Sequence, residues 1–140
     1  MYRRILVAIE HSAADRAILG HIRSLAKLTG AELLLVHVAD GFAARHFNDL
    51  KLRESDEMRS DRAYLESLAR ELAAHDLQVS TELAMGDPAT ELIRLAAARH
   101  ADLIAISTHG HRGLNDLLRG TTVNRVRHEV KIPVLLLRAQ

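Results

Sequence analysis

Four short stretches of the chain are apolar with almost no alternation: Ile5–Ile9, Leu33–Val36, Leu103–Ile106 and Val134–Leu137. Strands of this kind are covered on both faces, as in parallel sheets flanked by helices. A fifth stretch alternates instead, with Leu77, Val79, Thr81 and Leu83 set against Gln78, Ser80 and Glu82. That period of two suits a half-exposed strand at a sheet edge. Between the stretches lie helical spacings, marked by Ile18, Ile22 and Leu25, then Leu65, Leu68 and Leu72, then Leu92, Ile93 and Ala96, then Val123, Val126 and Val130. Ser12 is the expected N-cap of the first helix and Gly30 its terminator; Asp87-Pro88 gives the third a capping side chain and a first-turn proline. Residues 40–56 lack a clean period and read as a loop running into the second helix. The order βαβαβαβαβ predicts an α/β doubly wound fold, one open five-stranded parallel sheet with helices on both faces.

One segment carries most of the chemistry. Ser107 to Thr121 follows the fourth strand and leads into a helix expected to begin near Thr121. A small-residue loop between a strand and a helix N-terminus leaves backbone N–H groups unpaired, and the helix dipole adds positive potential, so such a loop suits phosphate. His109, His111, Arg112 and Arg119 strengthen that field. A Walker A loop is excluded, because no Lys precedes Thr121. The dinucleotide fingerprint is excluded too, because it needs glycine where Thr108 stands. What remains is a small residue, two residues, Gly, nine residues, then Gly-Thr, at Ser107, Gly110, Gly120 and Thr121.

That spacing resembles the ATP-binding members of the universal stress protein family, whose motif is Gly-x2-Gly-x9-Gly-Ser/Thr, with Ser107 standing for the first glycine. The segments 4–9, 86–91, 104–110 and 131–137 are also similar to that family, so the resemblance spans essentially the whole chain. It implies strand order 3-2-1-4-5, which places the reversal of order between the first and fourth strands. Ligands of open α/β sheets bind at that point, at the carboxyl ends of the strands. The resemblance further implies an ATP site, with magnesium held mainly by the phosphates. Backbone groups around His109, Gly110 and Arg112 and those of Gly120 and Thr121 would hold phosphate, supplemented by the Thr121 and Thr122 hydroxyls. Ser107 would border the ribose and α-phosphate. Glu10 stands where the family has a nucleoside-contacting aspartate, although a capping acid near the first helix reads equally from its position. His11 stands where the family commonly has glycine. Ala8, Ile9 and Val38 would flank the adenine, or serve the core as apolar strand ends.

Composition narrows the alternatives. At 140 residues the chain reads as one domain over 1–140, with a net charge of +1 and no charge block to attract a polyelectrolyte. Aromatic residues are 3% of the chain, which argues against stacking platforms for nucleic acid. The absence of cysteine removes disulfides and thiol chemistry. No apolar run approaches the ~20 residues of a membrane span, and the first strand begins too soon for a signal peptide, so a cytoplasmic location is expected. Nine histidines are scattered, and His109 and His111 have no acid beside them to complete a metal set. Their spacing also departs from the His-x-Gly-His signature of nucleotidylyl transferases. The expected role is a non-catalytic, nucleotide-responsive regulatory or protective module. Its rivals are a slow ATPase or nucleotidyl transferase and a protein-interaction module that binds no nucleotide. Finally, Val134, Leu135, Leu136 and Leu137 form an apolar strand that the implied order puts at a sheet edge, a hazard unless covered. A homodimer through that strand, as in family members resembling this chain, is the expected cover.

Overall fold

The structure, a computed structural model, describes residues 1–40, 51–108 and 114–138. Its strands are β1 (Arg4–Ala8), β2 (Glu32–Asp40), β3 (Val79–Gly86), β4 (Leu103–Thr108) and β5 (Val134–Arg138). They alternate with helices α1 (Ala14–Thr29), α2 (Lys51–Ala73), α3 (Pro88–Ala98) and α4 (Leu114–Glu129). All neighbouring strands pair in parallel, in the order β3-β2-β1-β4-β5. The fold and strand order are those expected.

The period-two alternation of each inner strand divides the core into two. Ile5, Val7, Leu33 and Leu35 face one side and pack with Ile18 and Ile22 of α1 and Leu65 and Leu72 of α2. Leu6, Leu34, Val36 and Ile104 face the other side and pack with Leu92 and Leu95 of α3 and Val126 of α4. Helices therefore cover both faces, and the runs lack alternation because neither face is wet. At the amino end of the sheet, the Asp102 carboxylate accepts the Arg3 and Arg4 N–H groups at 2.8 and 3.1 Å. That contact locks the start of β4 to the start of β1. Among the described residues no helix is long and apolar enough to cross a membrane.

Three boundaries differ from expectation. β3 runs Val79–Gly86 instead of 77–83, because its partner β2 extends to Asp40 and pairs with it as far as Asp40↔Gly86. Upstream, the chain is still leaving α2 through Asp76 at φ 64. α2 starts at Lys51, inside the stretch read as loop; residues 41–50 lie outside the described residues. α4 starts at Leu114, well before Thr121. Its opening segment, Leu-Asn-Asp-Leu-Leu-Arg, contains good helix formers that outweigh the ~1 kcal/mol a helical glycine costs at Gly120.

Gly30 closes α1 as expected, at φ 77 with its N–H bonded to the Ala26 carbonyl. Asp87 caps α3 and Pro88 opens it. The Asp87 carboxylate accepts from the Thr90 N–H at 2.9 Å and the Thr90 hydroxyl at 2.6 Å, and Arg125 of α4 donates to it at 2.6 Å. The Thr90 bonds, assisted by Arg125, hold this carboxyl below the ordinary aspartate value. Its stabilising effect is therefore present above the unfolded-state pKa and is lost as pH falls through the lower native one. Asp87→Ala should cost about 1 kcal/mol in urea unfolding at pH 7, with the difference shrinking towards zero in strong acid.

Candidate functional site

β1 pairs with β2 on one edge and β4 on the other, so the order reverses at its carboxyl end. The chain leaves there through Glu10, His11 and Ser12 before entering α1. His11 has φ 62, a left-handed value that costs a non-glycine residue about 1–2 kcal/mol. That turn aims three successive N–H groups at one point, the Asp15 carboxylate. Glu10 N–H donates to Oδ1 at 2.9 Å, and His11 and Ser12 N–H donate to Oδ2 at 2.9 and 3.1 Å. Tyr64 of α2 adds its hydroxyl at 2.7 Å. With four donors, Asp15 tolerates being only 2% exposed. Ser12 is not the side-chain N-cap expected: the cap position is Ala13, with no side-chain cap bond. The charged oxygens of Asp15 take the loop N–H groups instead, a charge-assisted bond being stronger than a hydroxyl's. Ser12 Oγ accepts from Ala14 N–H at 3.2 Å and donates to Glu10 Oε2 at 3.1 Å.

A second polar group adjoins this one. His11 Nδ1 meets Asp61 Oδ1 at 2.7 Å, and its ring stacks on Tyr64 with centroids 4.0 Å apart. Asp61 Oδ2 lies 3.4 Å from His37 Nε2. His37 Nδ1 in turn bonds the Ile9 carbonyl at 2.8 Å. A carbonyl only accepts, so His37 carries its hydrogen on Nδ1. No three His, Asp or Glu side chains among the described residues are arranged to hold a metal ion.

On the other side of the reversal, β4 ends at Ser107 and Thr108. Ser107 is 2% exposed, and its hydroxyl has no hydrogen-bond partner among the described residues. Such orphans are rare in native proteins and call for an explanation. His109, Gly110 and Arg112 lie outside the described residues. Because α4 begins at Leu114, the N–H groups that have no intrahelical partner are those of residues 114–117. Those of Gly120 and Thr121 lie inside the helix, which departs from the expectation that they sit at its start. Gly120 takes no positive φ, and a Cβ there would meet nothing within 4 Å.

Ile9 proves to be a core residue, 3% exposed among the α1 and α2 side chains. Ala8 and Val38 stay part-exposed on the opposite face, beside α3.

Residues 1–138 match the Universal stress protein family. The chain belongs to this family. Universal stress protein MJ0577 of Methanocaldococcus jannaschii is 24% identical over 99% of this chain and 96% of its own length. The solved structure of MJ0577 superposes with a TM-score of 0.82 at 23% identity, covering 100% of this chain and 98% of that one. A universal stress protein in complex with cAMP gives 0.71 at 18% identity, covering 99% and 98% of the two chains. One from Archaeoglobus fulgidus in complex with dAMP gives 0.72 at 17%, covering 96% and 97%.

In this universal stress protein Ala8, Val38 and Ser107 lie near the carboxyl ends of β1, β2 and β4 and Glu10 follows β1, while Asp15, His37, Asp61 and Tyr64, which the sequence did not single out, join the end of β1. Signals for two of these exist. Ser12-x-x-Asp15 is a capping-box spacing, whose acid reaches back to the Ser12 N–H. Asp61 extends the Leu65, Leu68, Leu72 stripe towards the amino end of α2, so an acid sits where the period asks for an apolar residue.

Burial, and next the bond to Asp15, push the Tyr64 hydroxyl above the ordinary phenol value. A raised native pKa means that the stabilisation is complete below the unfolded value of about 10 and is lost as pH rises through the native one. Tyr64→Phe should lower stability by about 1 kcal/mol at pH 8 and flatten the alkaline decline, read by chemical unfolding between pH 8 and 11.

Proposed function

We propose that this universal stress protein binds an adenine nucleotide, ATP foremost, at the carboxyl ends of β1 and β4, and acts as a cytoplasmic, nucleotide-responsive regulatory or protective module. The observation that carries this reading is the buried Ser107 hydroxyl at the end of β4, which has no hydrogen-bond partner among the described residues, set against the engaged N–H groups after β1. The connection after each strand could offer N–H groups to an anion. At β1 they are already engaged by the protein's own Asp15. The β4 side, with Ser107 and the first turn of α4, would take the phosphate. The β1 side, where Glu10, Ala8 and Val38 stand near the strand ends, would take the nucleoside.

The adenine nucleotides of the cAMP and dAMP complexes support the same class of ligand. His109, Gly110 and Arg112 would add donors and positive charge from the loop. Thr121 and Thr122 would offer hydroxyls to the far end of a polyphosphate, since they stand roughly 10 Å along α4 from its start. Magnesium would arrive with the phosphates, as it needs few protein ligands. No step of catalysis is assigned to any of these groups.

Calorimetric titration with magnesium present should give affinities falling from ATP to ADP to AMP to adenosine. Equal affinity for ATP and adenosine would remove the phosphate half of the site. Glu10→Gln should weaken ATP and adenosine alike, by about tenfold if one hydrogen bond to a charged group is lost.

We also propose a homodimer through β5. Among the described residues that strand pairs with β4 alone, and Leu136 is 38% exposed along it. A two-fold antiparallel pairing of Val134, Leu135, Leu136 and Leu137 with a second copy would cover both the apolar side chains and the open backbone groups. Light scattering should report a dimer at micromolar concentration and a monomer for Leu136→Lys. A monomeric wild type would rule the pairing out.

A further inference from the structure

Asp61 and Tyr64 stand three residues apart on α2, a spacing that puts both on one helical face. Each holds the β1–α1 loop by a different route. Tyr64 donates to Asp15 at 2.7 Å, and Asp15 accepts the N–H groups of Glu10, His11 and Ser12. Asp61 grips the His11 ring at 2.7 Å, while Tyr64 backs that ring at 4.0 Å. Through its other oxygen Asp61 faces His37 at 3.4 Å, and His37 holds the Ile9 carbonyl at 2.8 Å. Glu10 is thereby bracketed: the carbonyl before it, its own N–H and the side chain after it are all fixed by contacts that lead back to α2. The loop needs such restraint, because His11 sits at φ 62, where glycine would rest without strain. Meanwhile α2 is anchored to the sheet by Leu65, Leu68 and Leu72, so neither polar residue is required to dock the helix.

We propose that Asp61 and Tyr64 are positioning residues for Glu10, so that α2 sets how well the nucleoside is held without touching it. The inference rests on the nucleoside role proposed for Glu10. A residue that orients a binding group changes affinity for the part of the ligand that group meets, and leaves the remainder alone.

The test is a titration of wild type, Asp61→Asn, Tyr64→Phe, His11→Gly and the Asp61→Asn/His11→Gly pair with adenosine, ATP and inorganic triphosphate. Asp61→Asn and Tyr64→Phe should each weaken adenosine and ATP by the same factor, about three- to tenfold, with triphosphate unchanged. In the His11→Gly background Asp61→Asn should lose most of its effect, because its main handle is already gone. Unchanged adenosine affinity, an equal loss for all three probes, or strict additivity of the two substitutions would each overturn the proposal. If wild type binds none of the probes, it is the nucleotide reading that falls, and the positioning role is judged on the loop itself. Amide NMR shifts at Glu10, His11 and Ser12 that move in both α2 variants then uphold it, and shifts confined to α2 overturn it.

Discussion

β1 is paired on both edges and covered on both faces, and Ile5, Leu6 and Val7 have no exposure at all. A strand so enclosed must turn out of the sheet where its backbone groups are still shielded from water. Every N–H there needs a partner, since a buried unpaired one costs about as much as a lost hydrogen bond. Asp15 answers that demand for three consecutive residues. The loop shape, the unusual backbone of His11 and the recruitment of Tyr64 all follow from it.

The same constraint divides the labour at the reversal point. Two strands end there, each followed by a helix, and the N-terminal end of a helix favours an anion. An internal carboxylate at one of them turns a potential ligand site into a structural joint. At the other, β4 ends with the buried Ser107 hydroxyl, which has no hydrogen-bond partner among the described residues. The asymmetry is electrostatic as well as geometric. A negative charge already sits beside β1, which disfavours phosphate there, while Arg and His residues follow β4.

α2 holds the loop that carries Glu10, although its apolar stripe marks it first as a packing element. Its inner face passes from leucines to Tyr64 and Asp61 as it approaches the carboxyl ends of the strands. The helix is a core element along one part of its length and a support for the β1–α1 loop along the other.

The sequence by itself determined the architecture, and it singled out the reversal of strand order as the candidate site. Unbroken apolar runs require a sheet covered on both faces, and the caps at Gly30 and Asp87 are local events that need only neighbouring residues. Boundaries were less legible where a distant partner sets them. β3 is as long as β2 requires, and α4 begins where helix propensity outweighs one glycine. Least legible were the contacts at the site. Glu10 is found by its position just after β1, and Ser107 by the small-residue motif that starts at the end of β4. Asp15 was hidden in a capping-box spacing, and Asp61 in a polar interruption of a stripe. Which carboxylate meets which N–H or imidazole depends on bringing residues 9–15, 37 and 61–64 together, and that convergence is decided by tertiary packing, because hydrogen bonds act over about 3 Å and not along the chain.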